Sequence, residues 1–441
     1  MPTITAHTLG CKVNQYDTQA MTELFENRGY TPVPMGSPAD VCLINTCTVT
    51  GTGDRKSMQL LRRVLREHPG THVILCGCLA QREGEKLRDC GALLILGTRE
   101  RSRVVDLYEQ ALRENTCLVA VEPLLPGMPY EELQVCRQGE RTRGVLKIQE
   151  GCRNFCSYCI IPSVRGPVRS RDAESVFLEA RRLTEAGYRE LVLTGIHLSS
   201  YGLDLKPPLT LLSAIEKVQQ VPGVDRIRLG SLEPGIATAA FASALTSFPS
   251  LCPQFHLALQ SGSDRILKAM RRRYDTELYR RSVEELRRAF PGCAITTDVL
   301  TGFPGEDEQA FQETRDFLRS IGFARIHVFP YSERARTPAA DMPGKVPREI
   351  REARARILIR DGKEMALSYQ KSLAGTREEV LVEETGKDFS EGYTRTYIRV
   401  RIPREPDTAV NDLVPVLLGE TDGRILTARP LPFHERKEDH P

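Results

Sequence analysis

Three cysteines in one short segment are the residues whose types and spacing point most clearly to chemistry. Cys152, Cys156 and Cys159 lie four and then three residues apart in GCRNFCSYC. Three thiolates are an incomplete set for structural zinc, which normally takes four ligands, and the sequence offers no nearby histidine to complete it. They do suit a 4Fe-4S cluster in which one iron lacks a protein ligand. Such an iron is a place where a substrate or a cofactor can coordinate.

Three further cysteines are far apart in the sequence, but each follows a predicted strand. Cys11 comes after the first strand in TLGCKVNQYDT, Cys47 after the second in INTCTVT, and Cys78 after the third in CGCLAQ. The carboxyl ends of parallel strands about 4.8 Å apart meet at one edge of a sheet, close enough for the three thiols to share a cluster. A cysteine is also a common small apolar core residue, so the pattern alone leaves both interpretations open.

The elements that position the second set of cysteines lie in about the first 115 residues. There, short apolar runs alternate with segments of helical periodicity. This alternation predicts a small doubly wound α/β domain, in which ligands bind outside the carboxyl ends of the strands. The predicted strands cover residues 4–9, 41–46, 73–76 and 93–96. The predicted helices cover residues 15–27, 56–67, 81–88 and 102–113.

A second βα series follows a Pro-rich segment at 121–133, which predicts a linker because its prolines interrupt every apolar run. Six βα units predict a partial parallel barrel, short of the closed eight, with its site at the carboxyl ends of the strands. The Cys152 segment directly follows the first of these strands. The predicted strands cover residues 144–149, 190–194, 226–229, 256–260, 294–300 and 325–330. The predicted helices cover residues 173–186, 211–220, 234–247, 276–289, 308–321 and 347–372.

Beyond about residue 375 the apolar period changes to two, which predicts a small all-β module, a five-stranded barrel of the kind that binds oligonucleotides. Its predicted strands cover residues 379–383, 393–402 and 414–418. Arginines and tyrosines crowd the middle run, a mixture that suits contact with phosphates and bases. A solvated pair of strands has the same composition, so both interpretations stay open. The residues concerned are Tyr393, Arg395, Tyr397, Arg399, Arg401 and Arg404.

Length and composition bound the class of protein. At about 150 residues per domain, 441 residues predict roughly three domains. An apolar fraction of 40% and a charged fraction of 27% exclude a disordered or collagenous chain. The net charge of +3, from 61 basic and 58 acidic residues, excludes a strongly basic nucleic-acid-binding chain but not a local basic patch.

The 13 cysteines are too sparse for a disulfide scaffold, and their odd number could not pair completely. The first residues show no signal-peptide pattern, and no stretch approaches about 18 apolar residues, so we expect a cytoplasmic protein without a membrane span. Reducing conditions there favour metal ligation or catalysis for clustered cysteines.

The CxxxCxxC spacing at the head of a βα barrel resembles the radical S-adenosylmethionine (SAM) enzymes. In that family the open iron chelates the amino and carboxylate groups of SAM, and reductive cleavage yields a 5'-deoxyadenosyl radical, while the protein binds and orients the cofactor. The nearby Arg165, Arg169 and Arg171 are candidates to pair with the SAM carboxylate or with substrate phosphates. Exposed arginines without a specific role are the alternative.

The whole chain resembles the methylthiotransferases, a radical SAM subfamily with an α/β domain, a central barrel and a terminal TRAM module. TLGCKVNQYDT, INTCTVT and GCRNFCSYCIIPSVRG carry the resemblance. It implies 4Fe-4S clusters on both cysteine sets, with Cys11, Cys47 and Cys78 holding the auxiliary one. The domains it implies are a methylthiotransferase domain at 1–116, a linker at 117–137, a radical SAM core at 138–370 and an RNA-binding TRAM domain at 371–434.

Further segments, TGIHLSSYG, LQSGSD and TGFPGE, match the barrel of that family. They place Gly195, Glu233, Ser261 and Asp298 where strand ends are expected to line the SAM pocket, although glycines and acids at strand ends are also common in turns.

The resemblance implies replacement of an aromatic C–H bond by a thiomethyl group with two molecules of SAM. One SAM donates the methyl group to a sulfur held at the auxiliary cluster, and the other is the radical source. Both clusters must therefore face one cavity. An external reductant such as a flavodoxin or ferredoxin is also implied.

Three substrates divide that family: two modified adenosines at position 37 of tRNA, in the anticodon loop, and an aspartate of a ribosomal protein. Lys12 and Val13, together with YTRTYIRV, resemble the branch that acts on N6-threonylcarbamoyladenosine. Arg395, Arg399 and Arg401 are the predicted RNA contacts, although the terminal module as a whole is slightly acidic. The alternatives are N6-isopentenyladenosine, the ribosomal aspartate, or a non-catalytic iron-sulfur protein that binds RNA.

The other cysteines lack partners at ligand spacing and are predicted to be structural. They are Cys42, Cys76, Cys90, Cys117, Cys136, Cys252 and Cys293. His197 and His256 lie near predicted barrel-strand ends, and we expect them to be hydrogen-bonded core residues.

Overall fold

Six parallel strands within residues 3–120 form the first sheet, in the order β2-β1-β3-β4-β5-β6. The computed structural model describes residues 1–136 and 142–432, so the domain boundary expected at 137/138 and the domain end expected at 434 fall outside the described residues. The strands of this sheet are β1 (Thr3–Thr8), β2 (Thr31–Pro32), β3 (Val41–Thr46), β4 (His72–Gly77), β5 (Leu94–Leu96) and β6 (Leu118–Ala120).

Helices cover both faces of this sheet, so β3 is buried along its whole length, and its first four residues are apolar. They are α1 (Lys12–Asn27), α2 (Gly51–Glu67), α3 (Cys78–Glu83) and α4 (Val104–Glu114). The predicted doubly wound domain is confirmed. The edge strands β2 and β6 escaped prediction because two and three residues are too few to show a period.

The second βα series forms two sheets, in the orders β10-β9-β7-β8 and β11-β12-β13-β14, which curve into one partial barrel. A parallel bridge between Ile227 and Leu251 joins them. The strands are β7 (Arg143–Glu150), β8 (Arg169–Ser170), β9 (Glu190–Gly195), β10 (Arg226–Leu229), β11 (Ser231–Leu232), β12 (Gln254–Leu257), β13 (Ala294–Thr301) and β14 (Arg325–Pro330).

The barrel helices are α5 (Ile161–Arg165), α6 (Ala173–Glu185), α7 (Leu211–Gln219), α8 (Ala239–Leu245), α9 (Asp264–Ala269), α10 (Thr276–Ala289), α11 (Glu308–Ile321) and α12 (Arg348–Ser372). The predicted partial (β/α)6 barrel is confirmed, with β14 as its open edge strand. None of the helices within residues 1–136 and 142–432 combines the length and the apolar composition that crossing a bilayer requires.

The last strands close into a barrel of their own, in the order β15-β16-β17-β19-β18. They are β15 (Arg377–Thr385), β16 (Phe389–Thr394), β17 (Arg399–Pro403), β18 (Leu413–Thr421) and β19 (Leu426–Pro430). The predicted all-β module is confirmed, but the single strand expected over 393–402 is wrong. Tyr397 has a φ of 67°, a left-handed conformation that turns the chain and splits the run into β16 and β17.

Candidate active site

The loop that carries Cys152, Cys156 and Cys159 begins where β7 ends, at Gly151. A Cβ atom on Gly151, whose φ is +75°, would lie 1.8 Å from the carbonyl oxygen of Pro167. Only glycine allows this approach of two backbones. The Ser157 amide donates to the carbonyl of Met270, 3.0 Å away, and fixes the middle of the loop. The barrel therefore holds the three thiols at the carboxyl ends of its strands.

Burial raises the pKa of the Cys159 thiol to about 12 and also raises that of Cys152. Metal binding to these thiols therefore releases protons. Arg272 is the cation beside them, and its Nη1 lies 3.1 Å from the Sγ of Cys156. The guanidinium also stacks on the ring of Tyr274, 4.7 Å from the centroid, which fixes its position.

Cys11, Cys47 and Cys78 meet at the carboxyl edge of the first sheet. Cys11 immediately precedes α1, Cys47 follows β3, and Cys78 is the first residue of α3. Burial, together with the neighbouring Cys78 and Cys11, raises the pKa of the Cys47 thiol to about 11. A Cβ atom on Gly10 would lie 3.0 Å from the Sγ of Cys47, so this edge is tightly packed. The topology thus brings together three residues that span 67 positions of the sequence, from Cys11 to Cys78.

The donor chemistry of the thiols suits an iron-sulfur cluster. In the part of the chain that the structure describes, no three His, Cys, Asp or Glu side chains are arranged to hold one metal ion. Three thiolates that bind three different irons of a cluster lie farther apart than three ligands of one ion, and thiolates are the usual ligands of such clusters. The residue types of both donor sets, three thiols each, therefore suit a 4Fe-4S cluster in which one iron lacks a protein ligand.

One cavity of about 560 Å³ lies between the barrel cysteines and Cys11 of the first domain. Cys152, Cys156 and Cys159 line it from the barrel, and Cys11 lines it from the first domain. Behind Cys11, the Cys78 side chain packs on Ile160 and Val164, which follow the barrel cysteines directly in the sequence. The two sets of thiols thus lie on either side of one domain junction.

Arg165, at the end of α5, ties this junction together. Its Nε lies 3.2 Å from the Sγ of Cys78, and its Nη1 lies 3.0 Å from carboxylate oxygens of both Asp17 and Glu150. Lys147 binds the same two carboxylates at 2.7 and 2.6 Å. Burial alone would raise the pKa of Glu150, but the charges of Arg165 and Lys147 hold it well below its usual range. These buried charges connect α1, β7 and α5.

The three arginines expected beside SAM are committed to internal contacts instead. Arg165 is buried in the network just described, and Arg171 is buried against Glu179 at 2.6 Å. Arg169 donates to the carbonyl of Arg165, 3.1 Å away. None of the expected roles, a contact with SAM, a contact with substrate phosphates or an exposed arginine, fits these buried positions. The sequence does not show which acids, such as Glu179, pair with these arginines.

Of the residues expected to line the SAM pocket, Gly195, Glu233 and Asp298 line the cavity. Ser261 does not: it is buried, 3.2 Å from the hydroxyl of Thr314, and lies behind the cavity wall. Gly195 is required for space, because a Cβ there would lie 2.8 Å from the side chain of Gln149.

Glu233 is the best-partnered acid of the cavity. Asn154 donates to it at 3.1 Å, His197 Nε2 lies 3.1 Å away, and Arg272 lies at 3.5 Å. Burial alone would raise the pKa of Glu233, but the hydrogen bond with His197 and the charge of Arg272 lower it. This carboxylate therefore stays ionised beside the cysteine loop.

The expectation that His197 and His256 are core residues is wrong, since both line the cavity. His256 lies 3.0 Å from the hydroxyl of Thr296 and 3.3 Å from Asp298. The inward-facing side of β14 adds Arg325 and His327, which sequence reasoning missed although alternation along a strand at the barrel edge could have identified them.

The terminal β-barrel closes the far end of the cavity. Tyr397, in the turn between β16 and β17, lines the cavity and stacks on the guanidinium of Arg228, 4.6 Å from its ring centroid. Arg228 also donates to the carbonyl of Arg395 at 2.9 Å, and Arg226 to that of Tyr393 at 3.0 Å. No local pattern in the sequence indicates that this turn reaches the barrel.

The arginines expected to contact RNA differ in their surroundings. Arg395 donates to the carbonyls of Pro249 and Leu251, so it anchors the terminal barrel to the central one. Arg399 and Arg401 pair with Glu391 at 2.5 and 2.6 Å, and their side chains stay 41% and 46% exposed. Of the three arginines, only Arg399 and Arg401 expose their positive charge to a ligand, and a ligand would compete with Glu391 for that charge.

Two family models match the chain. An uncharacterized protein family, UPF0004, matches residues 3–97, and the Radical SAM superfamily matches residues 146–318. Among solved structures, the radical SAM methyltransferase TsrM from Kitasatospora setae has a TM-score of 0.56 at 14% identity, and the likeness covers 77% of this chain and 76% of that one. This similarity shows that the two proteins share a fold.

Curated relatives match nearly the whole length. The threonylcarbamoyladenosine tRNA methylthiotransferase MtaB of Bacillus subtilis is 41% identical over 91% of this chain and 90% of that protein. The tRNA-2-methylthio-N(6)-dimethylallyladenosine synthase of Pelotomaculum thermopropionicum is 34% identical over 92% and 93%. With these relatives, and with one cavity that Cys11 and the three barrel cysteines line together, the chain belongs to the radical SAM methylthiotransferase family.

Proposed function

We propose that this protein transfers a methylthio group to C2 of N6-threonylcarbamoyladenosine at position 37 of tRNA. The observation that carries the proposal is the cavity onto which Cys11 and the three barrel cysteines open together. A reaction that uses a methyl donor and a radical source needs both at one substrate. The 41% identity to a relative named for this substrate supports the choice of adenosine.

Membership of the radical SAM superfamily implies a 4Fe-4S cluster and SAM. We assign that cluster to Cys152, Cys156 and Cys159, and a second, auxiliary cluster to Cys11, Cys47 and Cys78. When bound, the clusters and two SAM molecules supply the electron, the sulfur site, the radical and the methyl group, which is chemistry that the protein itself lacks. The protein's own task is to bind, orient and shield.

Orientation falls to the charged groups beside the cysteine loop. Glu233, kept ionised by His197 and Arg272, is placed to accept hydrogen bonds from the amino group of SAM. Gly195 leaves room for the ligand next to Gln149. Asp298, 31% exposed and close to His256, is a second acceptor deeper in the cavity.

Shielding falls to the walls of the cavity. Leu229 and Leu232 line it from the barrel and Val49 from the first domain, while Tyr397 closes the far end. Excluding water from such a site prevents side reactions of reactive species. The first domain therefore supplies a wall of the cavity, and the junction held by Arg165 keeps that wall in place.

The remaining assignments follow from the family. We assign residues 1–116 to the methylthiotransferase domain, 138–370 to the radical SAM core and 371–434 to an RNA-binding TRAM domain, with 117–137 as the linker. Arg399 and Arg401 are the arginines placed to meet the phosphates of an anticodon loop, since phosphate contacts dominate affinity for RNA. A flavodoxin or ferredoxin in the cytoplasm is the proposed reductant.

A second candidate substrate is N6-dimethylallyladenosine, because a relative named for it is 34% identical over most of its length. Mass spectrometry of tRNA nucleosides from cells with and without the gene distinguishes the two. We expect the deletion to remove the 2-methylthio form of threonylcarbamoyladenosine and to leave the dimethylallyl analogue unchanged. Loss of the dimethylallyl analogue, or of neither nucleoside, would contradict the proposal.

A further inference from the structure

The open edge strand of the barrel, β14, presents two polar side chains to the cavity. Helix α12 covers its outer face so closely that a Cβ on Gly362 would lie 2.4 Å from the side chain of Ile326. Because side chains alternate along a strand, Arg325 and His327 point the other way, and both line the cavity. Both lie on the edge strand of the barrel sheet.

Arg325 differs from the other charged groups that line this cavity. Within the described residues it makes no hydrogen bond or ion pair, although it is exposed at the cavity edge. Lys12 is not free. Two of the other cations form ion pairs, Arg272 with Glu233 and Arg228 with Glu190, while the Asp298 carboxylate lies 3.3 Å from the ring of His256. Asp298 is the acid on the neighbouring strand, in register with His327, and it makes no ion pair with Arg325. Arg325 is therefore a cavity cation without an ion-pair partner in the described residues.

His327 adds a neutral polar group next to this charge. Burial and the neighbouring Arg325 lower the pKa of His327, so its ring is uncharged at neutral pH. A neutral imidazole can donate one hydrogen bond and accept another. A guanidinium beside a neutral donor and acceptor suits a ligand that carries both a carboxylate and a hydroxyl group.

The position of Arg325 also fits the orientation of the substrate. Arg325 is in register with Thr296, and His327 with Asp298, so both lie deeper along the strands than the cysteine loop at their carboxyl ends. In adenine, C2 and C6 lie on either side of N1, and their outward bonds diverge. A base whose C2 faces the cysteines therefore directs its N6 substituent away from them, toward the interior or the open side of the barrel.

We infer that Arg325 binds the carboxylate of the threonylcarbamoyl substituent and, with His327, gives this cavity its preference for that nucleoside. The inference rests on the proposed function. An isopentenyl substituent has no group that can pair with the guanidinium. It would displace the water bound to Arg325 without replacing the hydrogen bonds of that water, and this desolvation is unfavourable. A site built to bind a charged group strongly rejects an analogue that lacks that group, because its own buried polar groups are then left unpaired. An apolar pocket rejects a ligand with one additional group much less strongly.

The test compares wild-type protein, Arg325→Met and Arg325→Lys, each reconstituted with iron and sulfide. The probes are anticodon stem-loop RNAs that carry threonylcarbamoyladenosine, its methyl ester or isopentenyladenosine at position 37. Turnover is measured together with RNA binding by fluorescence anisotropy. Arg356→Met removes an exposed arginine of α12 outside the cavity and is the matched control.

We expect Arg325→Met to weaken binding and raise KM for the acid roughly ten- to a hundredfold, as loss of a charged hydrogen-bonded pair does. The wild type should discriminate between acid and ester by a similar factor, and Arg325→Met should not discriminate between them. Arg325→Lys should recover part of the preference, because it keeps the charge but loses the planar fork. SAM cleavage and iron content should stay at wild-type levels.

Two outcomes would overturn the inference while leaving the proposed function intact. If Arg325→Met acts on the acid and still prefers it to the ester, another residue binds the carboxylate. If the variant weakens acid and ester equally, Arg325 binds an RNA phosphate and not the substituent. If the wild type methylthiolates isopentenyladenosine and not the acid, the proposed function itself is wrong, and the inference with it.

Discussion

Alanine at Cys11, Cys47 and Cys78 should lower the bound iron of the reconstituted protein from about eight atoms to about four, while SAM is still cleaved to 5'-deoxyadenosine. SAM cleavage should persist because the two sets of thiols lie in different domains. These three thiols come from the first domain, and the barrel loop with its anchor at Met270 does not depend on them. The methylthio product should disappear completely, because no sulfur site faces the cavity.

Alanine at Cys152, Cys156 and Cys159 should also remove about four irons, but it should abolish SAM cleavage. The contrast between the two triple variants is the informative result. Cys136→Ala, an exposed cysteine outside both sets, is the matched control and should keep about eight irons and full activity. Equal iron content in the first triple variant and the wild type would show that other residues hold the auxiliary cluster.

The second large effect is expected at Arg165. Its replacement by methionine removes one cation from a buried network and leaves Asp17 and Glu150 with less compensation. Breaking a buried ion pair in this way costs about 3–5 kcal/mol of the free energy of unfolding. Because the chain has several domains, the expected readout is a lower denaturant midpoint for the transition that separates the first domain from the barrel.

Two comparisons make the Arg165 result specific. Arg66→Met removes an exposed partner of Glu67, and such surface pairs contribute about 0–1 kcal/mol, so its denaturant midpoint should not change measurably. Arg165→Lys keeps the charge but cannot reach both carboxylates and the Sγ of Cys78 with a planar fork. It should therefore be more stable than Arg165→Met and still lose auxiliary iron more readily than the wild type. A midpoint for Arg165→Met equal to that of Arg66→Met would contradict this account of the junction.

The parts of the fold that the sequence predicted well are those in which one local pattern determines the structure. The buried parallel strand β3 begins with four consecutive apolar residues, Val41 to Ile44, and its limits match the prediction. The cysteine sets were found for a related reason. A residue that follows a parallel strand lies at a known edge of the sheet, so topology alone places Cys11, Cys47 and Cys78 together.

The parts that the sequence did not predict depend on partners far away along the chain. Arg171 and Glu179, a residue of α6, form a buried ion pair, whereas the sequence shows the arginine without its partner. Tyr397 reaches Arg228 from another domain, and its left-handed turn breaks a run that alternates like one strand. Arg325 was missed because its significance lies in the absence of a partner within the described residues, and only the structure shows that.

The central claim is that two sets of cysteines serve one cavity and one reaction. The most direct test is an anaerobic reaction of the reconstituted protein with methyl-deuterated SAM, a chemical reductant and an anticodon stem-loop RNA that carries threonylcarbamoyladenosine. Mass spectrometry should find 5'-deoxyadenosine together with a 2-methylthio nucleoside that carries the deuterated methyl group. Formation of 5'-deoxyadenosine without any methylthio nucleoside from a protein with both clusters would contradict the claim.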